Sequence, residues 1–404
     1  MDMERWSIVN AEIMTPERVI SGGFVTMENG RITAVDAGAP ADPGRVADAQ
    51  GALLCPGLID IHIHGSGGHW GFLGAKDLLD MARFLARFGV TAFCPTTVSL
   101  PHAAVMDSIK GVRQAMDQQD AGADYAAVPA APPRTGARIL GINVEGPYIN
   151  KAMRGAHIAG AIRNPDETQI REIIETAGAA LRIVTLAPEL PGGLDAVRAF
   201  SAAGAVVSVG HSDATAEQTA EAARCGARLA THLFNQHRAF HHREQGAAFA
   251  MLQNPDYFCE LICDGIHVHP DVARMATRLC PASELVLITD AINAAGLGPG
   301  KYQVWGFNME VKNGAARLED GTLAGSVLTL NRAVANMAQF SGLPLHQAAG
   351  MATHNPAQLL GLLPHAGVIA PGAAADLALF DKNMDCLATV IAGHPAHRAD
   401  NSPL

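Results

Sequence analysis

Between residues 56 and 290 the chain alternates two textures. Short, almost uninterrupted apolar runs are separated by Ala-rich stretches in which apolar residues recur every three to four positions. The runs are Leu58–His64, Val90–Pro95, Ile139–Glu145, Leu181–Leu186, Ala205–His211, Leu229–Phe234, Phe258–Cys263 and Glu284–Thr289. Continuous apolar runs of this length suit parallel strands covered on both faces, because a strand with one wet face would alternate. The stretches between them can hold a crossover helix. Asp77–Phe88 and Ala214–Cys225 carry the helical spacing most plainly, with Ser212 and Asp213 as cap candidates for the second. Eight strands alternating with helices predict an α/β fold, a (β/α)8 TIM-type barrel; an open doubly wound sheet is the competing arrangement.

The flanks differ. Residues 6–54 read as short alternating strands with a turn at Glu28-Asn29-Gly30 and an Ala/Pro/Gly loop at 37–44, and 366–382 as two more strands around a Pro-Gly turn. Two remote β segments that bracket a barrel can pair, which predicts a small β-sandwich domain built from both chain ends. The expected division is 1–55 and 366–404 for that domain and 56–365 for the barrel. Residues 118–137, rich in Ala and Pro, are expected to form a loop before the third strand.

Composition narrows the partners. Across 404 residues, 39 Asp and Glu against 29 Lys and Arg give a net charge of −10, which argues against nucleic acid or an anionic membrane. No stretch approaches the roughly 18 to 20 apolar residues of a membrane span, and MDMERWSIVNAEIM lacks a signal-peptide core, so a cytoplasmic location is expected. Seven scattered cysteines without a C-x-x-C pair argue against a disulfide frame or a zinc knot.

The 17 histidines are the unusual number, and their positions matter. His62 and His64 end the first run, Glu145 the third and His211 the fifth; His232 falls near the end of the sixth, and Asp290 follows the eighth. In a barrel those ends share one face, where active sites sit. Imidazoles and carboxylates gathered there suit a divalent metal such as Zn or Fe. The His62-x-His64 spacing puts both side chains on one face of a strand. None of the six lysines lies inside a predicted barrel strand, so an anion shared between two ions would come from Glu145 rather than a modified lysine. Asp290, set among apolar residues, is either a proton acceptor for an activated water or a helix cap.

Further motifs carry a resemblance. Pro56-Gly57-Leu58-Ile59-Asp60-Ile61-His62-Ile63-His64-Gly65, Val144-Glu145-Gly146-Pro147-Tyr148, Gly155-Ala156-His157, Gly210-His211-Ser212, Thr231-His232-Leu233-Phe234-Asn235, Asp264-Gly265-Ile266-His267-Val268, Thr289-Asp290-Ala291, Leu323-Ala324-Gly325-Ser326 and Asn355-Pro356-Ala357 run in order along nearly the whole chain. In this ordered set the sequence resembles the N-acetylglucosamine-6-phosphate deacetylase family of the amidohydrolase superfamily. The resemblance implies Glu145, His211 and His232 as the main metal ligands, and His62 and His64 as ligands of a second ion that only some members hold, hence one or two ions per subunit. It implies Asp290 as the catalytic acid/base and His157 as the group polarising the acetyl carbonyl. Asn235, Gln236, Arg243 and His267 would meet the sugar phosphate, and the backbone of Leu323, Ala324 and Gly325 would border the N-acetyl sugar. The family's homodimers imply that Arg243 reaches into the neighbouring subunit's site.

The implied reaction is hydrolysis of the acetamide of N-acetyl-D-glucosamine 6-phosphate. Deacetylation of N-acetyl-D-galactosamine 6-phosphate, another amidohydrolase activity, and an inactive sugar-phosphate-binding barrel are the alternatives. One stretch departs from the family: Phe234-Asn235-Gln236-His237 stands where Phe/Tyr-Asn-Ala-Met is usual. His237, His241 and His242 are expected to add partial positive charge beside Arg243, as an anionic substrate requires.

Overall fold

The computed structural model describes residues 5–119, 136–304 and 307–404; most of the loop expected at 118–137 lies outside the described residues. Eight parallel strands form where the apolar runs predict them: β1 (Leu58–Ile63), β2 (Val90–Pro95), β3 (Ile142–Glu145), β4 (Leu181–Leu186), β5 (Val206–Val209), β6 (Ala227–Ala230), β7 (Phe258–Ile262) and β8 (Leu285–Ile288). Strands β3 to β8 pair in chain order, and β1 pairs with β2. Parallel bridges join the two sets at both junctions, Thr96 with Asn143 and Ile63 with Ala291, so the parallel sheet curls round an interior. Every residue of β1, β2, β3 and β8 is buried, which explains their unbroken apolarity.

Helices pack outside by their apolar stripes. Ala75–Leu85 buries Leu78, Met81, Ala82 and Leu85, and the larger of these contribute about 2 kcal/mol each by leaving water. The expected helix Ala214–Cys225 starts at Ala216 instead. Thr215 is its cap: its hydroxyl accepts from the Gln218 N–H, and the Gln218 side chain accepts from the Thr215 N–H. Ser212 and Asp213 are drawn away by Glu189, whose carboxylate accepts from Ser212 Oγ and from the Asp213 N–H, each at 2.7 Å. The sixth strand also ends early, at Ala230, where the chain turns through His232 at φ 28°.

The chain ends build one eight-stranded sheet. Its order is His394–Arg398, Cys386–Ile391, Leu377–Phe380, Leu53–Pro56, Trp6–Met14, Val19–Glu28, Arg31–Ala37, with Arg45–Asp48 beside the start of Trp6–Met14. It has its own core, including Ile8, Ile13, Val25, Met27, Leu54, Leu377 and Val390. A second addition escaped the sequence reading: a four-stranded antiparallel sheet of Gly300–Val304, Phe307–Lys312, Ala315–Leu318 and Leu323–Ser326. It joins the end of β8 through a bridge between Ala291 and Ser326. No described helix is long and apolar enough to cross a membrane.

Candidate active site

The sequence-predicted residues converge at the carboxyl ends of the parallel strands. Glu145 is the last residue of β3; His211, His232 and Asp290 each stand two residues past β5, β6 and β8. All three adopt positive φ, at 49°, 28° and 47°, a region that costs a non-glycine residue about 1 kcal/mol or more. Backbone bonds hold the strained turns: Asp290 N–H donates to His62 O at 2.9 Å, Ser326 N–H to Asp290 O at 2.8 Å, and Asn150 N–H to His211 O at 2.9 Å.

Two ligand groups result, His62 with His64 and Asp290, and Glu145 with His211 and His232, all buried. In the second, His211 Nε2 and His232 Nε2 each lie 3.1 Å from Glu145 Oε1 and 3.1 Å from one another. That triangle approaches the separation of about 3.3 Å between ligands around a tetrahedral ion with bonds near 2.0 Å. Glu145 Oε2 faces the first group, 3.3 Å from His64 Nε2 and 3.5 Å from His62 Nε2. The His62 Nε2 atom is buried without a hydrogen-bond partner, as expected of a nitrogen aimed at a cation. The far sides of two rings are fixed by carbonyls: His211 Nδ1 donates to Met153 O at 2.7 Å and His64 Nδ1 to Thr96 O at 3.2 Å. The residues fit one or two divalent ions.

The electrostatics agree. Burial opposes ionisation of Glu145, but His62, His157 and His211 outweigh it and hold the carboxyl well below the usual range. Burial likewise opposes Asp290, yet His64 and His62 bring it down to about 2. For His62 burial favours the neutral ring, and Glu260 and Glu145 override it, raising the ring well above the ordinary imidazole value. The charge that Glu260 and Glu145 hold on the His62 ring stands where a cation would bring its own, whereas burial and the neighbouring His157 lower His211 to about 4.

His157 presents the opposite polarity. The Ser99 backbone N–H donates to His157 Nδ1 at 2.9 Å; an amide can only donate, so the ring proton sits on Nε2, 3.5 Å from Glu145 Oε2. A cavity of about 370 Å3 opens over these groups, lined by His64, Glu145, His157, His211, His232 and Asp290 below, with Asn235, Gln236, His267, Leu323 and Gly325 at its walls. His267 donates to Asp264 at 2.7 Å, and Asp264 keeps the ring above its ordinary value against the pull of burial. The antiparallel sheet delivers Leu323 and Gly325, and Gly325 is required there: at φ 66°, a Cβ would lie 2.8 Å from Asp290 O.

Other sequence-predicted residues fall elsewhere. Ala324 is fully buried behind Leu323 and Gly325, and His62 lies beneath the cavity floor. Arg243 is exposed outside the cavity, its Nη1 2.9 Å from His242 Nε2. His237 corrects the expectation of a basic loop. It is buried beside His232, its Nε2 donates to Thr231 O at 2.8 Å, and burial with the neighbouring His232 takes it down to about 3, so it carries no positive charge. Sequence reasoning missed Ser99, Asp60, Glu260, Arg317 and Thr322. Arg317 and Thr322 line the cavity, and Asp60 accepts from Thr289 Oγ1 at 2.6 Å, tying β1 to the end of β8. The signal for Asp60 and Glu260 was present as single carboxylates inside apolar runs.

Comparison with known proteins shows the family. The amidohydrolase family profile matches residues 53–397. An N-acetylglucosamine-6-phosphate deacetylase of Vibrio furnissii is 37% identical, over 98% of this chain and 97% of its own. An N-acetylgalactosamine-6-phosphate deacetylase of Escherichia coli O157:H7 is 34% identical, over 92% of this chain and 94% of its own. The solved structure of a mutant N-acetyl-D-glucosamine-6-phosphate deacetylase of Mycobacterium smegmatis, in complex with N-acetyl-D-glucosamine-6-phosphate, superposes with a TM-score of 0.88 at 30% identity, covering 98% of this chain and 100% of that one. The chain belongs to the amidohydrolase family, among its N-acetylglucosamine-6-phosphate deacetylases.

Proposed function

We propose that this chain hydrolyses the acetamide of N-acetyl-D-glucosamine 6-phosphate to D-glucosamine 6-phosphate and acetate, as a cytoplasmic enzyme of amino-sugar catabolism. The observation that carries the reading is one cavity in which a cation-ready ligand set, an ionised Asp290 and an imidazole presenting N–H face the same space. We read the curled parallel strands as a closed (β/α)8 barrel over 56–365, and the sheet of the chain ends, 1–55 and 366–404, as a sandwich-type β domain beside it.

One or two divalent ions, zinc or iron, held by Glu145, His211 and His232 and by His62 and His64, would lower the pKa of water toward about 7 and polarise the carbonyl. Asp290 Oδ1, 3.1 Å from His64 Nε2, takes the proton as water oxygen bonds to the carbonyl carbon, and returns it to the amide nitrogen as the C–N bond breaks. His157 Nε2–H donates to the carbonyl oxygen as charge develops there, a contribution of about 3 kcal/mol. Asn235, Gln236 and His267 bind the sugar-phosphate end, while Leu323 and Gly325, backed by Ala324, wall the acetamide. Arg243, solvent-facing in its own subunit, serves the neighbouring site of a homodimer.

The test is acetate release from the 6-phosphates of N-acetyl-glucosamine and N-acetyl-galactosamine and from the two unphosphorylated sugars, with metal content measured on the same sample. Preference for the glucosamine phosphate is expected. Preference for its galactosamine epimer would move the assignment to the activity named for the Escherichia coli relative, and no release from any of the four would leave an inactive barrel.

A further inference from the structure

The two ligand groups meet at a residue that belongs to neither. Glu260 sits in the middle of β7, fully buried in a strand whose other residues are Phe, Cys, Leu and Ile. Its Oε2 accepts two hydrogen bonds, from His62 Nδ1 at 3.0 Å and from the backbone N–H of His232 at 3.0 Å. Its Oε1 is buried with no hydrogen-bond partner. A carboxylate removed from water with one oxygen bare is costly, and a barrel strand gains nothing in packing from it.

Each bond acts on a different ligand group. Since His62 gives its Nδ1 proton to Glu260, Nε2 is the ring atom left for a cation, and it faces Glu145 and Asp290 at 3.5 and 3.7 Å. The second bond anchors the backbone of His232 at its strained φ of 28°, the conformation that brings His232 Nε2 to Glu145 and His211. We propose that Glu260 is a positioning residue that orients His62 and His232 together, so that one carboxylate sets the geometry of both halves of the cation centre. This rests on the reading of the two groups as cation sites. A side chain that served the barrel alone would have no reason to bond one ligand by its ring and another by its backbone.

The experiment is cobalt binding to metal-free wild-type protein and to Glu260→Gln and Glu260→Leu, followed by equilibrium dialysis and by the visible absorption of the bound cobalt. Affinity is expected to fall by about tenfold for the glutamine variant, whose amide oxygen still accepts, and about a hundredfold for leucine. The cobalt spectrum should change in both. In a His62→Ala background the glutamine penalty should shrink, because part of it acts through that ring. If the leucine variant does not fold, the glutamine variant carries the test, with the metal-free melting temperature matching wild type. Wild-type cobalt affinity and spectrum in folded variants would overturn the positioning role alone. A wild-type protein that takes up no cobalt, zinc or iron would overturn the cation reading, and the proposal with it.

Discussion

At the scale of single residues, the proposed reaction divides work between an acceptor, Asp290, and a donor, His157. His64 and His62 surround Asp290 and hold its carboxyl down at about 2, which suits it to take a proton in the proposed reaction. Asp290→Asn should retain metal content and substrate affinity while acetate release falls by about a thousandfold or more; substantial residual turnover in a steady-state assay would remove Asp290 from the acid/base role. The role proposed for His157 depends on its tautomer. His157→Asn should lower kcat by about a hundred- to a thousandfold with little change in KM. Ser99→Ala should leave kcat nearly unchanged, since the backbone N–H that fixes the tautomer survives the substitution; a large drop would mean that the hydroxyl holds the ring. The residues proposed as ligands and acid/base were readable as residue types at the ends of apolar runs. Ser99 was not, because its amide and its hydroxyl, 2.9 and 2.8 Å from His157 Nδ1, meet that ring across 58 residues only in the folded chain.

At the scale of elements, the strands are short platforms whose last residues turn sharply. Beneath His211 and His232 a layer of hydroxyls fills the interior, with Thr185 Oγ1 3.1 Å and Ser208 Oγ 2.5 Å from Thr231 Oγ1. Gly210 closes against this layer: a Cβ there would meet Thr231 Cβ at 2.5 Å and Thr185 Cγ2 at 2.8 Å. Gly210→Ala should therefore destabilise the fold by about 1 to 3 kcal/mol in denaturant titrations and reduce metal content, because the strain lands on the turn that carries His211. Unchanged stability would show that the layer yields. Strand positions came through from unbroken apolarity. The antiparallel sheet at 300–326 did not, since its alternating pattern resembles that of any surface hairpin and nothing local links it to the end of β8.

At the scale of the whole molecule, a buried cation centre would link cation binding to folding. A ligand bound by the native state alone adds about 4 kcal/mol at a thousandfold excess over its Kd. Chelation should therefore lower the melting temperature, and zinc or iron should restore it in a concentration-dependent way together with activity. A melting temperature indifferent to chelation would contradict a buried cation centre. Arg243 lies outside the cavity of its own chain, so its proposed role needs a second subunit. Arg243→Ala and Asp290→Asn should each be impaired as homodimers, and co-expression should restore about a quarter of wild-type activity through mixed dimers holding one complete site. Absence of complementation in demonstrated mixed dimers would confine Arg243 to another task.

The sequence by itself determined the parallel strands, the face on which the imidazoles and carboxylates gather, and the chemistry open to them, because burial on both faces and ligand type are local properties. It could not determine which histidines stay on the surface. His237 and His242 look alike along the chain, yet one is drawn under the ligands to donate to Thr231 O and the other remains exposed beside Arg243. Nor could it reveal Glu260 as the joint between His62 and His232, which stand 170 residues apart and become neighbours only when the parallel sheet curls. Hydrogen-bond partners across that interior are set by which strand ends meet, and only the tertiary structure decides that.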